Sequence, residues 1–344
     1  MLDLALANLL SPLLLCFVLG VVAVLLRSDL RFPEQVFNAL SIYLMLAIGL
    51  KGGVELSKLS PSQFVLPGLA GVGIGMAIPL WSYVLLRRFG GFKAADAAAI
   101  AAHYGSVSAV TFVAALAYLD ATRTPYEGFA PALLAIMEVP GIIVAFALAR
   151  AGGAIGAGGA GGATGAGGAG GAIGAGGAGG SPAEAVREIL AGKSVLLLAG
   201  GLVIGAIVGE AGYARVKPVF SDLFQGVLCL FLLELGMLAA ARMADFRRVG
   251  PFLVVFALVM PVLHGALGVL VGHGIGLSVG GAMILGTLAA SASYIAAPAA
   301  VRLALPQANP GYYLTASLAI TFPFNLTLGL PLYQAIATWL QGAP

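Results

Sequence analysis

Ala289-Ala-Ser-Ala-Ser-Tyr-Ile-Ala-Ala-Pro298 interrupts a membrane-length apolar run with small residues, two serines and a proline. A continuous lipid-facing helix is disfavoured there, because proline removes a backbone donor and clashes with the preceding turn. Exposed N–H and C=O groups inside a bilayer are tolerated only where they line a cavity or hold a ligand, so the stretch reads as half of a binding site. The other half is Ala102-His-Tyr-Gly-Ser-Val-Ser-Ala-Val-Thr111, which repeats the Ser-X-Ser pattern. Set against each other without a gap, Gly91 to Val110 and Gly276 to Ile295 pair Gly91 with Gly276, Ala97 with Ala282, Ser106 with Ser291 and Ser108 with Ser293. Upstream, Leu46-Ala-Ile-Gly-Leu50 resembles Leu233-Glu-Leu-Gly-Met237.

Composition fixes the surroundings of this pair. Mean hydropathy is +1.03, and 60% of residues are hydrophobic against 9% charged, where soluble domains carry roughly 25% charge. Barrel strands would give alternating segments of about ten residues, which are absent, so the chain reads as an all-α integral membrane protein. Apolar runs bracketed by charges and prolines place spans at 6–26, 34–50, 62–86, 94–118 and 128–149, then 188–209, 219–240, 250–274, 277–303 and 311–340. This predicts ten transmembrane helices with breaks in the fourth and ninth.

Residues 152–180 contain only Gly and Ala apart from two Ile and one Thr. Such a segment loses the most backbone entropy on ordering and has almost nothing to bury, so 151–186 is predicted to be a flexible linker between 1–150 and 187–344. With the N-terminus outside, twelve Lys and Arg fall on the linker's side and five on the other. The positive-inside rule then makes the linker cytoplasmic, both termini external and the location the cytoplasmic, or inner, membrane. The first apolar run lacks a signal peptide's basic start and reads as a retained span.

Five spans per repeat is an odd number, so the second copy enters the bilayer from the opposite side and the repeats are inverted. Many secondary transporters are built this way, with broken helices from the two copies meeting near the midplane. Helix N-termini carry about half a positive charge and unsatisfied N–H donors, which favour anions. Gly105, Ser106, Val107, Ser108, Ser291, Ala292, Ser293 and Tyr294 are the predicted contacts for a small oxyanion. The competing reading is that small residues and serines simply let membrane helices pack closely.

At these residues the chain resembles the sodium-dependent bicarbonate transporter family. The resemblance covers nearly everything except the linker. Its closest part is Ala289 to Pro298, continued by Arg302, Pro306, Ala308-Asn-Pro310, Tyr313, Ser317-Leu-Ala-Ile-Thr321, Pro323 and Pro331-Leu-Tyr333. In the first half Gly105, Ser108, Thr111, Ala114-Ala-Leu116 and Met137-Glu-Val-Pro140 carry it. The resemblance implies ten helices in inverted repeats, a homotrimer, and import of bicarbonate with sodium as coupling ion; no other cofactor or metal is implied. Cyanobacterial members have Asp where this chain has Tyr294 and a second hydroxyl where it has Ala292, so the chain looks like the branch found in other bacteria. With that carboxylate gone, oxygen donors for a hard cation are backbone carbonyls at the breaks, Thr111, Glu138 and Asn325. Cyanobacterial members also bind a small cytoplasmic signalling protein; the linker has no charged surface for it, and that partner is not expected.

The remaining polar residues read more plainly. Glu138 and Glu234 lie in apolar spans and should face the bundle or a cavity, Glu234 near a helix end in a structural role. His103 precedes Ser106 by three residues and reads first as packed and hydrogen-bonded, with proton coupling as the alternative. Asp96 reads as a first-turn carboxylate, Lys51-Gly52-Gly53 with Glu55 and Lys58 as an interfacial loop, Trp81 and Trp339 as aromatic belt, and Cys16 and Cys229 as small buried apolar residues. No phosphate-binding loop, nucleophile–base pair or nucleic-acid-binding pattern occurs, so an enzyme, an ATP-driven pump and a nucleic-acid partner are all disfavoured. Besides a sodium-coupled bicarbonate carrier in the lipid bilayer, two readings stay open: an organic-anion or proton-coupled carrier, suggested by Tyr294, and an anion sensor that binds without transport.

Overall fold

The computed structural model describes residues 10–155, 187, 190–243 and 246–342. The start of the first predicted span and the predicted linker beyond residue 155 lie outside the described residues. Every regular element among those described is helical: α1 (Pro12–Leu25), α2 (Glu34–Leu56), α3 (Pro61–Arg88), α4 (Ala94–Gly105), α5 (Ala109–Ala121), α6 (Ala130–Met137), α7 (Pro140–Ala151), α8 (Lys193–Ala214), α9 (Phe224–Met243), α10 (Phe246–Gly274), α11 (Val279–Ala290), α12 (Ala296–Ala304) and α13 (Pro310–Gly342). With α4–α5 and α6–α7 each taken as one broken element, eight helices are long and apolar enough to cross a membrane, and α1 and α11 are shorter apolar helices. The chain is a multi-pass membrane protein.

Glycines decide how the first layer packs. A Cβ on Gly53 would collide with the Leu202 carbonyl and one on Gly205 with the Leu50 carbonyl, so α2 and α8 touch backbone to backbone. Gly20 and Gly236 do the same for α1 and α9, against the carbonyls of Leu233 and Phe17. Where lipid removes the hydrophobic drive for association, such close approach is what holds helices together. The second span of each half therefore lies on the first span of the other half, and α1, α2, α8 and α9 form one layer. The remaining helices form the other, with α3 on α4 and α7, and α10 on α11 and α13. Contacts between the layers include Gly52 under Pro131 and the edge-to-face pair Phe17–Phe322 at 5.6 Å.

Several expectations change. The Lys51-Gly52-Gly53 triplet is inside α2, with Gly52 and Gly53 buried against α6 and α8; it is a packing surface, so the helix runs six residues past the predicted end. Lys58 follows that end and pairs with Glu55 at 3.0 Å and with Glu210 on α8 at 3.0 Å. These carboxylates, Glu210 foremost, hold its ammonium above the ordinary lysine range. Glu234 is in the middle of α9 rather than near a helix end, and its buried Oε2 has no partner among the described residues. Trp81 donates its indole N–H to His264 Nε2 at 2.8 Å within the bundle, whereas Trp339 is exposed. Cys16 and Cys229 are half-buried, and their thiols meet across α1 and α9.

Candidate functional site: two broken helices that cross

The two serine motifs fold alike. α4 and α11 are both twelve residues long, start and end at positions 185 apart, and follow glycines with φ of 66° at Gly91 and 82° at Gly276. Only glycine adopts that left-handed turn without a Cβ clash, which is why the aligned pair is Gly in both copies. Each helix then stops at its serines. Ser106 (φ −111°, ψ 136°), Ser108 (−103°, 112°) and Ser291 (−77°, 158°) are extended, and the chain re-enters helix at Ala109 and at Ala296. A serine caps each restart: Ser108 Oγ accepts the Thr111 N–H at 3.3 Å, and Ser293 Oγ accepts the Ala297 N–H at 3.2 Å. One cap leaves the other first-turn amides of a helix without an intrahelical acceptor.

The breaks hydrogen-bond to each other. The Ser108 N–H donates to Ser291 Oγ at 2.9 Å, and the Ser293 N–H donates to Ser106 O at 3.0 Å and His103 O at 2.8 Å. The amide of the second serine in each motif thus reaches the first serine of the other. All four serines are buried. The same reciprocity recurs farther out. Glu127, in the loop after α5, takes the Ser278 N–H at 2.7 Å at the start of α11. Asp96, in the first turn of α4, takes the Asn309 N–H at 2.8 Å from the loop after α12. In the loop between α5 and α6, burial pushes the Tyr126 hydroxyl above its ordinary range, with the neighbouring Asp120 carboxylate adding to the effect.

Of the predicted site residues, Gly105, Ser106, Val107, Ser108, Ser291, Ala292 and Ser293 come together at this crossing. Tyr294 borders it: its ring packs on Phe322 at 5.2 Å, and its buried hydroxyl faces Ser108 without a well-formed hydrogen bond. The predicted cation ligands divide. Glu138 stands at a third interruption, between α6 and α7, where its carbonyl accepts the Ser106 hydroxyl at 2.8 Å. The residue is buried, and no partner for its carboxylate is found among the described residues. Thr111 is buried in the first turn of α5. Asn325 is already engaged, donating to Ala290 O at 3.1 Å and accepting from the Tyr333 hydroxyl at 2.8 Å, so it satisfies the carbonyl end of α11. Asn325 opens the wide π-type turn Asn325–Gly329, shortly after that of Thr315–Thr321. The described residues contain no cluster of three His, Cys, Asp or Glu that could hold a metal.

Two cavities flank α5 beyond the crossing. One, of about 140 Å³, is lined by Ile48, Lys51, Glu55, Ala117, Asp120 and Tyr126 among others. The second, of about 150 Å³, is bordered by Ala114, Ala117, Tyr118 and Gln225. Ala114 is five residues from the first residue of α5, or about 7.5 Å of helical rise. Sequence reasoning missed Glu127 and the Gln334 side chain, which accepts from Tyr118 at 2.7 Å and donates to Thr124 at 2.8 Å. Neither has a local motif; a polar residue near the end of an apolar span was the available signal.

No curated protein matches the sequence. Residues 12–338 match the Na+-dependent bicarbonate transporter superfamily, which covers both breaks and nearly the whole chain. That is a family of carriers rather than enzymes, with sodium in its description as the ion on which transport depends. The chain belongs to the Na+-dependent bicarbonate transporter superfamily.

Proposed function

We propose that the chain is a secondary active transporter that imports bicarbonate together with sodium, binding the anion between the broken helices α4–α5 and α11–α12. The observation that carries this reading is the reciprocal bonding of Ser108 with Ser291 and of Ser293 with Ser106. The crossing brings two helix N-termini toward one place without a lysine or arginine in either serine motif. Their amides and partial positive charge favour an anion by roughly 0.3 to 2 kcal/mol each, enough to bind a small anion and weak enough to release it. Gly105 to Ser108 and Ser291 to Tyr294 line this site. Thr111 and the Glu138 carboxylate, with carbonyls of the break, serve the sodium; the second lone pair of Asn325 Oδ1 is a further oxygen donor.

The matched lengths of α4 and α11 and the exchanged packing of α1, α2, α8 and α9 support a ten-span architecture of two inverted repeats, 1–150 and 187–344, joined by a cytoplasmic linker. On this reading both termini face outward in the cytoplasmic membrane and the chain works as a homotrimer. On the same reading the cavities beside α5 form the outer approach. Alternating access then moves the layer bearing the crossing against the glycine-packed layer of α1, α2, α8 and α9.

Proteoliposomes loaded without sodium test this directly. An inward sodium gradient should drive accumulation of labelled bicarbonate, and removing the gradient should end it. Accumulation that follows a proton gradient instead would select the proton-coupled carrier, and binding without uptake would select a sensor. Voltage reports the stoichiometry: one sodium per bicarbonate is electroneutral, and each additional sodium adds about 2.3 kcal/mol per 100 mV, roughly fifty-fold in concentrating power.

A further inference from the structure

His103 is built into the crossing and has an unmet hydrogen-bonding need. Its carbonyl accepts the Ser293 N–H at 2.8 Å, and it stands three residues, nearly one helical turn, before Ser106. The side chain is wholly buried. Nδ1 lies 2.7 Å from Ala99 O. A carbonyl oxygen only accepts, so Nδ1 carries the proton, and Nε2 of the neutral ring is a bare lone pair. That Nε2 has no partner among the described residues. The ring stacks on Tyr313 with centroids 4.4 Å apart and planes at 27°, which, with the Ala99 bond, fixes its orientation. A buried acceptor held this way calls for a donor, and an unprotonated anion has none to give.

We propose that His103 Nε2 accepts the hydroxyl of the transported anion and so determines specificity, separating oxyanions that carry an O–H from those that do not. The inference rests on the anion-carrier reading above and names the chemical feature that its site selects. Bicarbonate presents charged oxygens, which suit the amides at the α5 and α12 N-termini and the Tyr294 hydroxyl, together with one O–H, which suits Nε2. Nitrate has the same charge and a similar planar outline but no proton. Donors alone would bind the two similarly; donors combined with an acceptor prefer bicarbonate. The same logic admits other small monoanions that keep an acidic O–H.

The test is binding of bicarbonate and of nitrate to the purified full chain at mildly alkaline pH, in wild type, His103→Phe and His103→Gln. Phenylalanine keeps a ring to stack on Tyr313 and loses the acceptor; glutamine loses the ring and keeps an acceptor oxygen. Wild type should prefer bicarbonate. In His103→Phe the bicarbonate-to-nitrate ratio should fall about tenfold, the worth of one hydrogen bond to a charged ligand, because bicarbonate weakens while nitrate is retained. His103→Gln should keep part of the preference, and it provides the reading if the phenylalanine variant does not fold. An unchanged ratio, or a parallel fall for both anions, overturns the role of His103 and leaves the carrier reading standing. Wild type that binds neither anion overturns both.

Discussion

The two breaks share a backbone plan but are braced differently. At the first, Ser106 sends its hydroxyl out of its own helix to the Glu138 carbonyl, and the Glu138 carboxylate has no partner among the described residues. At the second, Ser291 turns its hydroxyl back to Leu288 O at 2.8 Å, and the last span supplies the Asn325 amide to Ala290 O. Main chain braces one break and a neutral side chain braces the other. A perfect two-fold would duplicate every ligand. Here the amide donors suited to an anion are duplicated, while among the described residues the mid-span carboxylate beside the crossing, Glu138, belongs to the first half. On the proposed reading, this asymmetry gives a symmetric anion site one cation partner, on the Glu138 side.

Removing the charge at Glu138 should have the largest effect on that asymmetry. Glu138→Gln should abolish the stimulation of bicarbonate uptake by a sodium gradient in proteoliposomes while residual anion binding survives; full sodium stimulation would remove Glu138 from the cation site. A change in the other layer sharpens the comparison from outside. Gly53→Val pushes a side chain into the Leu202 carbonyl on α8 and should cost about 1 to 3 kcal/mol, read as a lower unfolding temperature, with bicarbonate affinity unchanged in the folded fraction.

Smaller effects distinguish the serines. Ser291→Ala leaves the buried Ser108 N–H without an acceptor and should destabilise by about 1 to 3 kcal/mol. Ser106→Ala removes one donor from the Glu138 carbonyl and should cost about 0.5 to 1.5 kcal/mol. Thermal unfolding of both purified variants ranks them; a larger loss for Ser106→Ala would mean that the first break is the better braced. The smallest expected change is at the rim. Lys58→Ala removes an exposed ion pair with Glu55 and Glu210 and should leave both unfolding temperature and uptake unaltered, since such pairs contribute little in water.

The crossing was legible in the sequence because helix interruption has a chemical signature: serines and a proline amid apolar residues, twice, with a glycine at the same distance upstream. Ser106, Ser108, Ser291 and Ser293 followed from that pattern. The interruption at Glu138 was not foreseen: 128–149 read as one unbroken span, and Met137-Glu-Val-Pro140 entered only through the family resemblance. What stayed hidden was three-dimensional. Gly52 and Gly53 look like a loop next to a lysine, yet they are where α2 meets α6 and α8, because an exposed chain and a tightly packed interface both select the absence of a side chain. Asn325 read as a cation ligand, and its amide also donates to the carbonyl end of α11, a second role the sequence does not announce. No local rule says which carbonyl needs it. The exchange of first and second spans between the halves is likewise a property of packing. The sequence carried a hint of it in the paired Leu46-Ala-Ile-Gly-Leu50 and Leu233-Glu-Leu-Gly-Met237, whose glycines, Gly49 and Gly236, each lie against the other half's first span.

Whether the two breaks make one site or two is decided most directly by counting bound bicarbonate on the purified chain, by equilibrium binding or calorimetry, in wild type, Ser108→Leu and Ser293→Leu. One anion per chain is expected, lost in either variant while the oligomer stays intact, because each leucine fills the same crossing from opposite sides. Two anions per chain with each variant losing one, or binding unaffected by both, would contradict a shared site between α4–α5 and α11–α12.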